Sequence, residues 1–103
     1  MDFKHLSEKM SDLQDRIQHI DDKIKAIEVT KESGAGFVKA TVNGEKKLLR
    51  LDVNEQLLVK EEKEMLQDLV IAAVNLAIQE VEEQRKGQTQ QASLDLLGSL
   101  TQQ

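Results

Sequence analysis

The sequence has no cysteine, proline, tryptophan or tyrosine, and only two phenylalanines among its 103 residues. Without cysteine there is no disulfide framework and no thiolate metal site, and nothing points to an oxidising compartment. Without large aromatics the core is expected to be aliphatic and thin. A single domain of this size also leaves much of its surface wet, which favours long helices and self-association over a self-sufficient globule. The opening MDFKHLSEKM has no apolar signal core, and no run approaches the roughly 18 apolar residues of a membrane span. A soluble, cytosolic protein is expected, with no membrane partner. Phe3 and Phe37 alone make no platform for stacking single-stranded bases.

Positive charge is also scarce. The formal net charge is −5, an obstacle to nucleic-acid binding, where phosphate contacts supply most of the affinity. Its distribution softens the obstacle. Residues 28–53 carry five bases against four acids, whereas residues 54–86 carry four bases against eight acids.

One stretch, SGAGFVKATVNGEKKLLRLDV, reads as β-structure between two helical patterns. Val38, Ala40 and Val42 alternate with Phe37, Lys39, Thr41 and Asn43, the period of a strand. Asn43-Gly44 supplies residues that tolerate positive φ in a tight hairpin turn. Beyond it Leu49, Leu51 and Val53 alternate with Leu48, Arg50 and Asp52. Gly34 and Gly36 form a second turn, which folds residues 28–32 back as a third strand. A three-stranded antiparallel meander follows, with one face that needs a cover.

Residues 3–27 carry a strict heptad stripe: Phe3, Met10, Ile17 and Ile24 at a, Leu6, Leu13, Ile20 and Ile27 at d. This seam is too narrow and long for a small sheet to cover, so it is expected to meet another helix, from this chain or from a second copy. The g positions hold Lys9, Arg16 and Lys23, and the e positions hold Ser7, Gln14, Asp21 and Glu28. A parallel second copy would set Arg16 beside Asp21 and Lys23 beside Glu28, a small electrostatic preference.

A second helix is expected over residues 60–86. Glu61, Glu62 and Glu64 open it, Arg85 and Lys86 close it, and Gly87 stands where a cap would fall. It is apolar over most of its circumference between Met65 and Ile78. Leu66, Leu69, Val70, Ala73 and Ala77 can face the sheet, leaving Ile71, Val74 and Ile78 for a further cover. Leu69, Val70, Ile71, Ala73, Val74, Ala77 and Ile78 are therefore the expected homodimer interface; packing beneath the first helix is the alternative. Residues 1–87 form the domain, and residues 88–103, rich in Gln, Ser and Thr with a weak leucine cluster, read as a flexible tail.

No constellation points to catalysis, a cofactor, a metal or a small-molecule substrate. Gly34-Ala35-Gly36 leads into a strand and lacks the further glycine or Lys-Ser/Thr of a phosphate loop. His5 and His19 share the outer c position but stand fourteen residues apart, too far for one metal ion. Ser7, Ser11 and Ser33 have no acid–histidine pair at useful spacing.

The order of SGAGFVKATVNG, a charged strand ending LDV, Leu57-Leu58, and EMLQDLVIAAVNLAIQEVEE resembles the YbaB/EbfC family of nucleoid-associated proteins over residues 3–86. The resemblance implies an α+β, α-β-β-β-α protomer in an intertwined, tweezer-like homodimer. It also implies a bacterial, cytoplasmic nucleoid protein that binds duplex DNA with modest or no sequence preference through its first and last helices. This chain differs in lacking a Gly- and Met-rich leader and in its Gln-rich tail. Cations that fit the implied contacts are Lys4, Lys9, Arg16, Lys23 and Lys25 on the first helix and Arg85 and Lys86 on the last. Lys46, Lys47 and Arg50 form a separate strand cluster. Solvated surface charge is the alternative for each, and a prefoldin-like coiled-coil adaptor is the alternative for the whole.

Overall fold

A computed structural model describes residues 3–101, with side-chain surroundings through residue 98. Gln102 and Gln103, counted above with the tail, lie outside the described residues, as do the surroundings of the Leu100 side chain. The order is α1 (Phe3–Lys25), β1 (Glu28–Ser33), β2 (Val38–Asn43), β3 (Leu48–Val53) and α2 (Lys63–Thr101). Single 3-10 turns at Glu55–Leu57 and Lys60–Glu62 join β3 to α2. The sheet is antiparallel in the order β1-β2-β3. The α-β-β-β-α fold expected from the sequence is the fold found, drawn out into a rod of 74 × 19 × 14 Å.

The sheet takes its cover from the first half of α2. Ala73, Ala77 and Val81, one helical turn apart, are fully buried against Val38, Ala40, Val42 and Val29. Small alanines let the helix lie close on the strands, and Leu57 closes the end of this layer. Ser33 adds a polar stitch, its hydroxyl donating to the Leu69 carbonyl at 2.6 Å. On the other face Thr30 and Thr41 share a hydrogen bond of 2.7 Å, and Thr41 is buried among its cross-strand neighbours.

Both turns differ in kind. The first has Gly34, Ala35 and Gly36 all at positive φ, with Gly34 pressed against Leu69. The second departs from expectation: Gly44 is not among the positive-φ residues, and Lys46 takes that conformation at φ 65°. The loop is one step longer than a two-residue hairpin, closed by Lys46 N–H to the Asn43 carbonyl at 2.9 Å. The Asn43 side chain accepts from the amides of Glu45 and Lys47, each at 3.0 Å. Gly44 is needed for approach instead, since a Cβ there would run into the Ile24 carbonyl. Its amide donates to the Ile27 carbonyl at 2.9 Å, tying the end of α1 to the loop.

Three further expectations change. A register shift at Thr41/Val42 sets Val42 opposite Leu48, so Leu49 leaves the alternation that Leu51 and Val53 keep. The heptad stripe loses its last member: α1 ends at Lys25, and Ile27 drops into the core beside Val29 and Val81. Glu28, assigned an e position, is instead the first residue of β1.

Gly87 does not stop α2, which continues as helix through Gly87 and Gly98 to Thr101. A Cβ on either glycine would enter open space, so no close approach demands them. The Gln, Ala and Leu between them are adequate helix formers. This distal part of α2 meets α1 around Asp15, Arg16, His19 and Ile20 on one side and Ala92, Asp95 and Leu96 on the other. Elsewhere the α1 seam stays open: α1 has no buried residue, and Phe3 is 84% exposed and Ile17 58%.

Candidate nucleic-acid interface

The cations divide by what already holds them. Lys9, Arg16 and Lys23 are exposed on α1 and make no ion pair or hydrogen bond among the described residues. One heptad apart, they spread over about 21 Å of helix. Lys4 is exposed near the start of the same helix. Lys25 is engaged by Asp21 one turn back, at 3.1 Å. The hydrogen bond and charge of Asp21 raise the Lys25 pKa above its ordinary value.

The separate strand cluster is largely neutralised. Arg50 meets Glu28 at 2.9 Å, Lys47 lies 4.0 Å from Glu45, and Lys46 reaches across to Glu82 on α2 at 2.9 Å. The Lys46 hydrogen bond and charge, with a contribution from Lys86, hold the Glu82 carboxyl below the usual glutamate range.

Arg85 is half-buried, and its guanidinium Nη1 donates to the Gly44 carbonyl. It therefore clamps the fork where the end of α1, the β2–β3 loop and α2 converge. Lys86 is exposed beside it. Lys46, Glu82, Arg85, Lys86, Thr89 and Gln90 line one surface groove of about 500 Å³. The sequence treats Lys46 as separate from Arg85 and Lys86. Only the fold, joining positions about forty residues apart, brings them together.

The expected dimer residues also divide. Ala73 and Ala77 are fully buried on the sheet of their own chain. Leu69, Val70, Val74 and Ile78 are half-buried against the same core, within the single chain. Ile71 alone of the set is well exposed, at 59%. The apolar surface that the sequence did not single out lies on β3, the connection after it and the start of α2: Leu48, Leu49, Leu51, Leu58, Val59 and Met65. Edge position was the missing information, because alternation alone does not tell which strand lies outermost.

These features define a small α+β fold with a packed sheet, two long helices and, among the described residues, unpaired cations on the first. The family model for the YbaB/EbfC DNA-binding family matches residues 1–96, and the chain belongs to that family. It is also similar to the crystal structure of the uncharacterized protein HP0035 from Helicobacter pylori. That likeness has 30% identity and a TM-score of 0.70, covering 94% of this chain and 98% of the other.

Proposed function

We propose that the protein is a nucleoid-associated protein that binds duplex DNA as a homodimer in the bacterial cytoplasm, mainly through phosphates and without catalysis. Family membership supports the DNA partner. The observation that carries the mode is the row Lys9, Arg16 and Lys23, unpaired and exposed on a helix with no buried residue. A phosphate contact needs a long cationic side chain with no carboxylate competing for it, and these three meet that condition. Lys25 and Arg85 are committed within the chain and contribute less.

Dimerisation is supported by the uncovered seam of α1 and by the exposed leucines of β3. Two copies would present six such α1 cations to one duplex. The adaptor alternative is weakened because α2 spends its apolar stripe on the sheet and offers no matching heptad seam. The test is the double variant Lys9→Glu/Arg16→Glu, titrated against a labelled duplex by fluorescence anisotropy. Binding should weaken at least tenfold with the sedimentation behaviour unchanged; unchanged affinity would remove α1 as the contact.

A further inference from the structure

The groove at the fork carries charge of the opposite sign to its surroundings. Three cations, Lys46, Arg85 and Lys86, share its lining with a single acid, Glu82, in a chain of net charge −5. Thr89 and Gln90 add neutral hydrogen-bonding groups to the same wall. The other groove between the helices lacks this character, with Asp15 and Asp95 set against Arg16 and a histidine.

Lys46 gives a second, independent reason to look here. It occupies a left-handed backbone position, φ 65°, where glycine would be the unstrained choice. A lysine kept at such a position carries a conformational cost that its backbone does not need. What the lysine adds is its ammonium, carried across to α2 and parked on Glu82 at 2.9 Å. That exposed pair adds little to stability by itself.

We infer that this groove is a backbone-phosphate site for duplex DNA, in which Lys46 exchanges Glu82 for a phosphate oxygen. The inference rests on the DNA-binding reading above. In the bound state Lys46 and Lys86 point to the phosphate and Gln90 donates a hydrogen bond beside them, while the Thr89 hydroxyl stays committed to the Arg85 carbonyl at 3.0 Å. Arg85 stays on the Gly44 carbonyl and holds the loop in place, so it is a positioning residue. Glu82 acts as a built-in competitor: it keeps Lys46 ordered when DNA is absent and repels the phosphate when it arrives. The contact sits at the root of the helices, whereas Lys9, Arg16 and Lys23 lie along α1.

The informative variant is Lys46→Gly, because glycine favours the backbone conformation of that position. It should fold at least as well as the parent chain by thermal melting. In anisotropy titrations with a labelled duplex across a salt series, it should bind severalfold more weakly. The slope of log affinity against log salt should fall by about 1 for each groove engaged. Lys47→Gly, one residue away on the same loop, should change binding by less than twofold. Glu82→Gln should tighten binding, and the added Lys46→Gly should abolish that gain. Glu83→Gln, which removes the same charge outside the groove, should tighten it less. If Lys46→Gly and Lys47→Gly are indistinguishable while Lys9→Glu/Arg16→Glu still weakens binding, the groove is wrong and the DNA reading stands. If the parent chain fails to bind duplex even at low salt, both fall together.

Discussion

The two halves of α2 share one helix and little else. In the first half Ala73, Ala77 and Val81 are fully buried on the sheet, and in the second Leu94 and Leu97 stand 64% and 60% exposed. The first half is fixed by tertiary packing, since its small residues fit the strands and Ser33 stitches it at Leu69. The second half runs on past Gly87 and meets α1 around Ala92, Asp95 and Leu96. The difference shows where this protein keeps its stability and where it keeps its free surface. A small aliphatic core at the sheet carries the fold, and the helices extend as arms from the fork at Gly44 and Arg85.

That contrast can be broken most sharply in the packed half. Ala77→Asp places an unpaired charge against Val42 and Val81 and should cost about 3–5 kcal/mol, enough to unfold a domain with so thin a core. Loss of the cooperative urea transition would register it; a normal transition would mean that α2 does not lie on the sheet as described. Gly44→Ala tests the fork, where the new methyl meets the Ile24 carbonyl. A loss of about 1–3 kcal/mol is expected, because a backbone atom cannot move aside as a flexible side chain can. Leu97→Ser in the open half should fall within about 0.5 kcal/mol. A much larger loss, varying with protein concentration, would show that a second copy covers the distal arm.

The smallest effect is a titration. The Glu82 carboxyl is held low by Lys46, so its pair with the lysine is present above the ordinary glutamate pKa. The contribution disappears only as pH falls through the depressed folded value. By NMR, Glu82 should titrate below the ordinary glutamate value, and Lys46→Gly should return it towards that value. Lys25 has the opposite sign. Its raised pKa sets the basic limit: the pair with Asp21 persists as pH rises to the ordinary lysine value and is lost as pH passes through the raised one.

Much of the architecture was legible because it is written in periods. The heptad of residues 3–24, the alternation Val38-Ala40-Val42 and the Gly34–Gly36 turn each appear where their spacing puts them. Two of the misreadings share a physical cause, which is that glycine has more than one use. Gly44 was read as a source of positive φ, yet it serves close approach to Ile24, and Lys46 takes the positive φ. Gly87 was read as a cap, yet it lies within a continuous helix. The site was legible as a set of cations and opaque as an arrangement. Which cations are consumed by Asp21, Glu28 or Glu82 depends on pairings that only the folded chain creates, those of Arg50 and Lys46 spanning many residues.

The central claim, duplex binding through cations offered by two copies of α1, is tested most directly by the salt dependence of the parent chain. Labelled duplex would be titrated by anisotropy at a series of salt concentrations. If three α1 cations from each of two protomers meet phosphates, log affinity should fall against log salt with a slope of about −5, and more steeply where the groove cations also engage. Binding with a slope near zero, or no binding at low salt, would contradict the account.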